Sequence, residues 1–133
     1  MRDFLFSYGT LLPQHAPREI AAVTAKFRPY AKGWIYGKLY DLGDYPGAVL
    51  GDQNSDPKIF GTVFKIPGDL ELLRRLDEYE GFNPKEPKAS LFVRRRHFVT
   101  LSTGKRLRCW LYEYNGQPSR TRVVPSGRYQ PAS

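Results

Sequence analysis

The chain has 133 residues, near the commonest domain size of roughly 100 to 150, so one apolar core and one domain are expected. Its 21 Lys and Arg outnumber 13 Asp and Glu, a net charge of +8, which favours anionic ligands. No apolar stretch approaches the roughly 20 residues that cross a bilayer, Met1-Arg2-Asp3 opens no secretory leader, and the lone Cys109 allows neither an internal disulfide nor a cysteine metal cluster. A cytoplasmic protein without membrane association is expected, with Cys109 as a buried, inert thiol.

Asp3-Phe4-Leu5-Phe6-Ser7-Tyr8 reads as a short buried strand that stops at the turn-rich Gly9-Thr10-Leu11-Leu12-Pro13. A modest helix over residues 17–25 follows, with Pro17 at an early position where its missing N–H costs nothing. Alternating aromatic, β-branched and glycine residues predict strands near 33–42 and 59–66. Between them lie a turn, Gly43-Asp44-Tyr45-Pro46-Gly47, and an exposed loop from Asp52 to Lys58. The clearest helix spans 68–80, with Asp69 as its cap, Leu70, Leu72, Leu73, Leu76 and Tyr79 at helical spacing, and Gly81 as its left-handed close. Ser90–Leu101 and Lys105–Tyr114 alternate on either side of Ser102-Thr103-Gly104, a β-hairpin pattern. Residues 115–133, rich in Gly, Pro, Ser and Arg, are expected to form an irregular basic tail behind a domain over 1–114. Strands outnumber helices, which points to an α+β domain on a curved sheet or small barrel.

The basic excess sits mainly in Arg94-Arg95-Arg96, Lys105-Arg106, Arg108, Arg120, Arg122 and Arg128. Neighbours on a strand face opposite ways, so the triplet alone builds no single basic surface, and nucleic acid is not the expected partner.

One residue does not fit its position. At about 100° per residue from Leu70, the apolar side chains of the second helix fall between about 180° and 300°, and Glu71, Arg74, Arg75 and Glu78 between about 40° and 140°. Glu80 lands near 280°, inside the apolar arc, and Asp77 near 340°, at its edge. A carboxylate there must find donors or take up a proton, and the negative end of the helix dipole adds to that pressure. Two plainer outcomes stand beside this: the helix frays before Glu80, or both acids pair with strand arginines.

Tyr8-Gly9-Thr10-Leu11 after an N-terminal strand, followed by Leu76-Asp77-Glu78-Tyr79-Glu80-Gly81-Phe82, resembles the two signature segments of the gamma-glutamylcyclotransferase-like superfamily, which includes the AIG2-like (avirulence-induced-gene) proteins and the gamma-glutamylamine cyclotransferases. Likeness extends to Tyr36-Gly37-Lys38-Leu39-Tyr40, Tyr45-Pro46-Gly47, Gly61-Thr62-Val63-Phe64, Arg94 and Trp110-Leu111-Tyr112, over roughly residues 4–114. The resemblance implies a small mixed β-barrel with flanking helices. It implies a small gamma-glutamyl substrate held by Tyr8, Gly9, Thr10 and Leu11, with Glu80 as the acid/base and 5-oxoproline as product. This chain departs from the pattern at Phe92, where many members carry a tyrosine two residues before the arginine, and in a longer Asn83–Lys88 stretch.

The reaction so implied is intramolecular, so one proton-moving carboxyl suffices in principle, and no cofactor is needed. His15 lies in a polar loop and His97 between Arg96 and Phe98, so neither a zinc site nor any other metal is expected; no nucleophile elbow or phosphate-binding loop is present. A non-catalytic module on the same fold, holding a small molecule or an anionic partner, is the alternative. The leaving amine, the oligomeric state and the role of the tail are not readable from the residues.

Overall fold

The computed structural model describes residues 2–9, 18–43, 45–54 and 56–129. Six strands and two helices are formed: β1 (Arg2–Ser7), α1 (Ala21–Thr24), β2 (Arg28–Asp41), β3 (Pro46–Leu50), β4 (Lys58–Pro67), α2 (Leu70–Glu80), β5 (Phe92–Leu101) and β6 (Arg106–Tyr114). The sheet order is β3-β2-β4-β1-β6-β5, and a further pairing of β2 with β5 through Gly33 and Trp34 closes the last five into a barrel. Leu5 of β1 pairs in parallel with Trp110 of β6, and the other pairings are antiparallel, so the barrel is mixed. The α+β class and the small mixed barrel expected from the sequence are what the chain adopts.

Strand alternation divides the apolar residues between two cores, because successive side chains leave a strand on opposite faces. Phe6, Ile35, Val63, Val99, Cys109 and Leu111, from all five barrel strands, pack together inside it. Their neighbours Leu5, Phe64 and Tyr112 point the other way and pack against Leu72, Leu73 and Leu76 of α2 and Val23 of α1. Cys109 is buried in the inner core, and burial pushes its thiol up to about 12, leaving it unreactive.

Several boundaries differ from the sequence reading for identifiable reasons. The helix expected over 17–25 is a 3₁₀ turn at Arg18–Ile20 running into the single turn of α1; Pro17 lies outside the described residues. The turn expected at 43–47 gives way to β3, an edge strand paired to β2 from Asp41↔Pro46 to Gly37↔Leu50. Proline is tolerated at the first residue of an edge strand, and five residues are too few to show a period. Strand β2 starts at Arg28, well before 33, because its exposed first residues carry no alternation. Leu70, expected on the apolar face of α2, is exposed, lying in the first turn before the helix reaches the barrel. Residues 115–129 hold little regular structure, as expected, yet they are strapped to the sheet. Val123 bridges Tyr40, the Val124 N–H donates to the Leu39 carbonyl at 2.7 Å, and the Phe60 N–H donates to the Gly127 carbonyl at 2.8 Å.

Both ends of α2 are fixed by the residues that the sequence marked. Asp69 accepts a hydrogen bond from the Glu71 N–H at 2.9 Å. Gly81 takes φ 73° and ψ 33°; its N–H donates to the Glu78 carbonyl and the Phe82 N–H to that of Asp77, a Schellman close that only a residue without a Cβ adopts cheaply. Between them, Asp77 accepts from Arg94 Nε at 2.8 Å and its Nη2 at 3.2 Å, and from the Tyr112 hydroxyl at 2.7 Å. This ion pair joins α2 to β5 and β6 with side chains only 17% and 6% exposed, and the Arg94 guanidinium also lies 4.4 Å from the Trp110 ring centre. Among the described residues, no helix is long and apolar enough to cross a membrane.

A buried pair broken on one side leaves an uncompensated charge. Asp77→Ala is expected to lower the unfolding free energy by about 3 kcal/mol or more in chemical denaturation, and Asp77→Leu combined with Arg94→Met by less than that. A double replacement as costly as Asp77→Ala would show that packing, not charge, dominates the contact.

Candidate active site

A cavity of about 260 Å³ opens at one end of the barrel, where the end of β1, the start of β3, the end of α2 and the start of β5 meet. Its size suits a small molecule. The β1 side contributes Phe6, Ser7, Tyr8 and Gly9, the β3 side Tyr45 and Pro46. The facing wall is made by Tyr79 and Glu80 of α2 with Leu91, Phe92 and Tyr112. Gly9 is needed where it stands: a Cβ there would lie 2.7 Å from Pro46 Cγ, so the absence of a side chain lets the turn after β1 close onto β3.

Glu80 is the last residue of α2, and the Schellman close at Gly81 fixes where its side chain leaves the helix. The Leu91 N–H donates to the Gly81 carbonyl at 3.0 Å, tying this end of the helix to the entry of β5. The helix therefore does not fray before Glu80. Asp77, three residues earlier on the same face, is the carboxylate that pairs with an arginine. Glu80 has no such partner: among the described residues, no ion pair and no side-chain hydrogen bond reaches its carboxylate. What surface it keeps borders the cavity, and burial of the carboxyl there raises its pKa from 4.5 to about 7. The negative end of α2 acts in the same direction.

Tyr8 is held from two sides. Its hydroxyl donates to the Tyr112 carbonyl at 2.5 Å and accepts from the Ala48 N–H at 3.2 Å, joining β1, β6 and β3 at the cavity. Burial first, and then the nearby charge of Glu80, push its pKa upward. The phenol stays neutral, and it presents a ring rather than a free hydroxyl to the cavity. Burial and then the charge of Asp77 likewise raise Tyr112. Phe92, flagged in the sequence as a departure, stands in the wall with Glu80; its ring lies 5.9 Å from Tyr45 and 5.5 Å from Tyr114.

Of the residues singled out for substrate and chemistry, Tyr8, Gly9 and Glu80 thus share one cavity, while Thr10 and Leu11 lie outside the described residues. Sequence reasoning did not assign Ser7, Tyr45, Pro46, Tyr79, Leu91 or Tyr112 to the site. Tyr45-Pro46 carried a family likeness that signalled them; Leu91 carried no signal. No residue of the basic tail lines the cavity among those described. Nor do the described residues bring three His, Cys, Asp or Glu side chains together as a metal would need.

The model of the family described as gamma-glutamyl cyclotransferase, AIG2-like, matches residues 5–131 of the chain. Comparison with curated protein sequences gives no significant match. Among solved structures, an AIG2-like protein of Mus musculus is similar with a TM-score of 0.68 and 16% identity, over 97% of this chain and 88% of that one. YkqA of Bacillus subtilis gives 0.68 and 23% over 97% of this chain, which spans only 40% of YkqA. An uncharacterized protein of Pyrococcus horikoshii gives 0.60 and 23% over 95% and 88%. At these identities the likeness is one of fold.

The raised carboxyl sets a pH signature. Between its ordinary 4.5 and about 7, folded Glu80 keeps a proton that the unfolded chain has released, so its share of stability is present below 4.5 and is lost as pH rises through 7. Glu80→Gln, permanently neutral, escapes that loss. At about pH 8 it should be more stable than the native chain by at most about 3 kcal/mol, the gap closing toward pH 4.5. Equal differences at both pH values in chemical denaturation would show that this carboxyl does not titrate between them.

Proposed function

The chain belongs to the gamma-glutamyl cyclotransferase, AIG2-like family, and from that premise we propose that it cyclises a small gamma-glutamyl compound to 5-oxoproline with release of an amine, Glu80 moving the protons. The observation that supports this most is an unpaired, partly desolvated carboxyl facing the turn after β1 across a cavity of substrate size.

In this reading the substrate supplies its own nucleophile. Its α-amine, freed of a proton by the Glu80 carboxylate, attacks the side-chain amide carbon and forms a five-membered ring. The C–N bond to the amine then breaks as Glu80 returns the proton to the leaving nitrogen, and no water is consumed. Tethering of nucleophile and electrophile supplies much of the rate that a bimolecular reaction would have to gain by positioning. A carboxyl near 7 lies closer than an ordinary one to the roughly 8 of an α-amine, which suits both the removal and the return of the proton. Backbone N–H groups of the Gly9-Thr10-Leu11 turn are assigned to the glutamyl carboxylate or to the developing oxyanion. Tyr8 holds that turn against β6 and β3 through its two hydrogen bonds.

Mass-spectrometric detection of 5-oxoproline with a panel of gamma-glutamyl amines, amino acids and peptides tests this reading. The native protein is expected to release it, and a folded Glu80→Gln variant to do so roughly 10²- to 10⁴-fold more slowly. The native kcat/KM is expected to rise as pH passes about 7, where Glu80 becomes a base. No release from any compound would leave a binding module on this fold as the better account.

A further inference from the structure

The wall beyond Glu80, away from the turn after β1, is built almost without means to hold a charge. It consists of Leu91, Phe92, Tyr45, Pro46 and Tyr79. Among the described lining residues there is no Lys, Arg or His, and the one ionisable group of low pKa is the acid Glu80 itself. The nearest strand arginine on β5, Arg94, is engaged with Asp77 and stacked by Trp110. Backbone donors on this side are used or missing. The Leu91 N–H goes to the Gly81 carbonyl, the Ala48 N–H to the Tyr8 hydroxyl, Phe92 belongs to the β5–β6 ladder, and Pro46 has no N–H. Tyr45 and Tyr79 carry neutral hydroxyls, which balance no charge. Phe92 presents a bare ring.

Resting on the cyclotransferase reading, we propose that the leaving half of the substrate is an amine with a neutral, apolar substituent, and that gamma-glutamyl amino acids, whose leaving half bears a carboxylate, are poor substrates. A carboxylate placed beside Leu91 and Phe92 loses its water without gaining a cation or a vacant N–H, and it stands next to Glu80 when that group is ionised. A branched alkyl chain placed there gains burial instead. The glutamyl half is excluded from this argument, because its charges face the turn after β1. Leu91, 44% exposed at the rim, and Phe92 are therefore the specificity-determining positions.

The matched pair for the test is gamma-glutamyl-isoamylamide and gamma-glutamyl-leucine, which differ only by the leucine carboxylate. The amide is expected to show at least about tenfold higher kcat/KM for 5-oxoproline release. Leu91→Arg, which adds a cation at the exposed rim, is expected to narrow that ratio by raising turnover of gamma-glutamyl-leucine. Equal or better turnover of gamma-glutamyl-leucine by the native protein would overturn this specificity and leave the cyclotransferase reading standing. If neither compound is turned over, that reading fails, and calorimetric binding to the native protein decides the chemistry of the wall. Tighter binding of the amide by at least tenfold supports it; equal, reversed or absent binding overturns it.

Discussion

Arg94 reaches from β5 into the face of α2 and grips both oxygens of Asp77, one of which also accepts the Tyr112 hydroxyl from β6. The apolar contacts of Leu72, Leu73 and Leu76 press the helix to the barrel, but apolar packing is non-directional and leaves rotation and sliding loosely specified. A two-pronged charged contact with a third donor fixes both. Everything at the end of the helix follows from that setting. With Asp77 anchored and Gly81 closing the helix in a left-handed turn, Glu80 leaves α2 toward the cavity at a defined height and angle.

Two carboxylates three residues apart on one helix therefore meet opposite fates. Asp77 has a guanidinium and a phenol, which satisfy an anion in a buried place. Glu80 faces a cavity whose walls are aromatic and aliphatic, and its proton is correspondingly hard to lose. This separation is what a site working on an amine near neutral pH requires: one acid spent on architecture, the other left free to titrate. Had both been paired, the helix would be equally well held and the cavity chemically mute.

The barrel contributes in a second way. Because β1 runs beside β4 and β6 and ends near the start of β3, the turn at Gly9 comes against Pro46, and the Tyr8 hydroxyl ties three strands together around the cavity. Rigid strands then carry the two short segments that bear chemistry, on opposite sides of the space the substrate would take. The tail, basic in composition, is tied instead across β2 and β4, where Arg128 lies 3.9 Å from the Phe60 ring centre.

The sequence by itself determined the elements whose signals are local. Asp69, the leucine spacing and Gly81 define α2 because caps and helical period act within a few residues; the alternation of 90–114 defines the hairpin for the same reason. It also marked Glu80 as a charge on an apolar arc, and with Tyr8 and Gly9 as part of a family pattern. It did not show β3 or the early start of β2, since short or polar edge segments take their pairing from neighbours rather than from their own pattern. Nor did it distinguish Asp77 from Glu80. Both lay near the same face of one helix, and which would find a guanidinium depended on where the barrel places Arg94. Only the tertiary structure decides that, because partners, burial and the shape of a cavity come from residues far apart in the chain, brought together when the strands close.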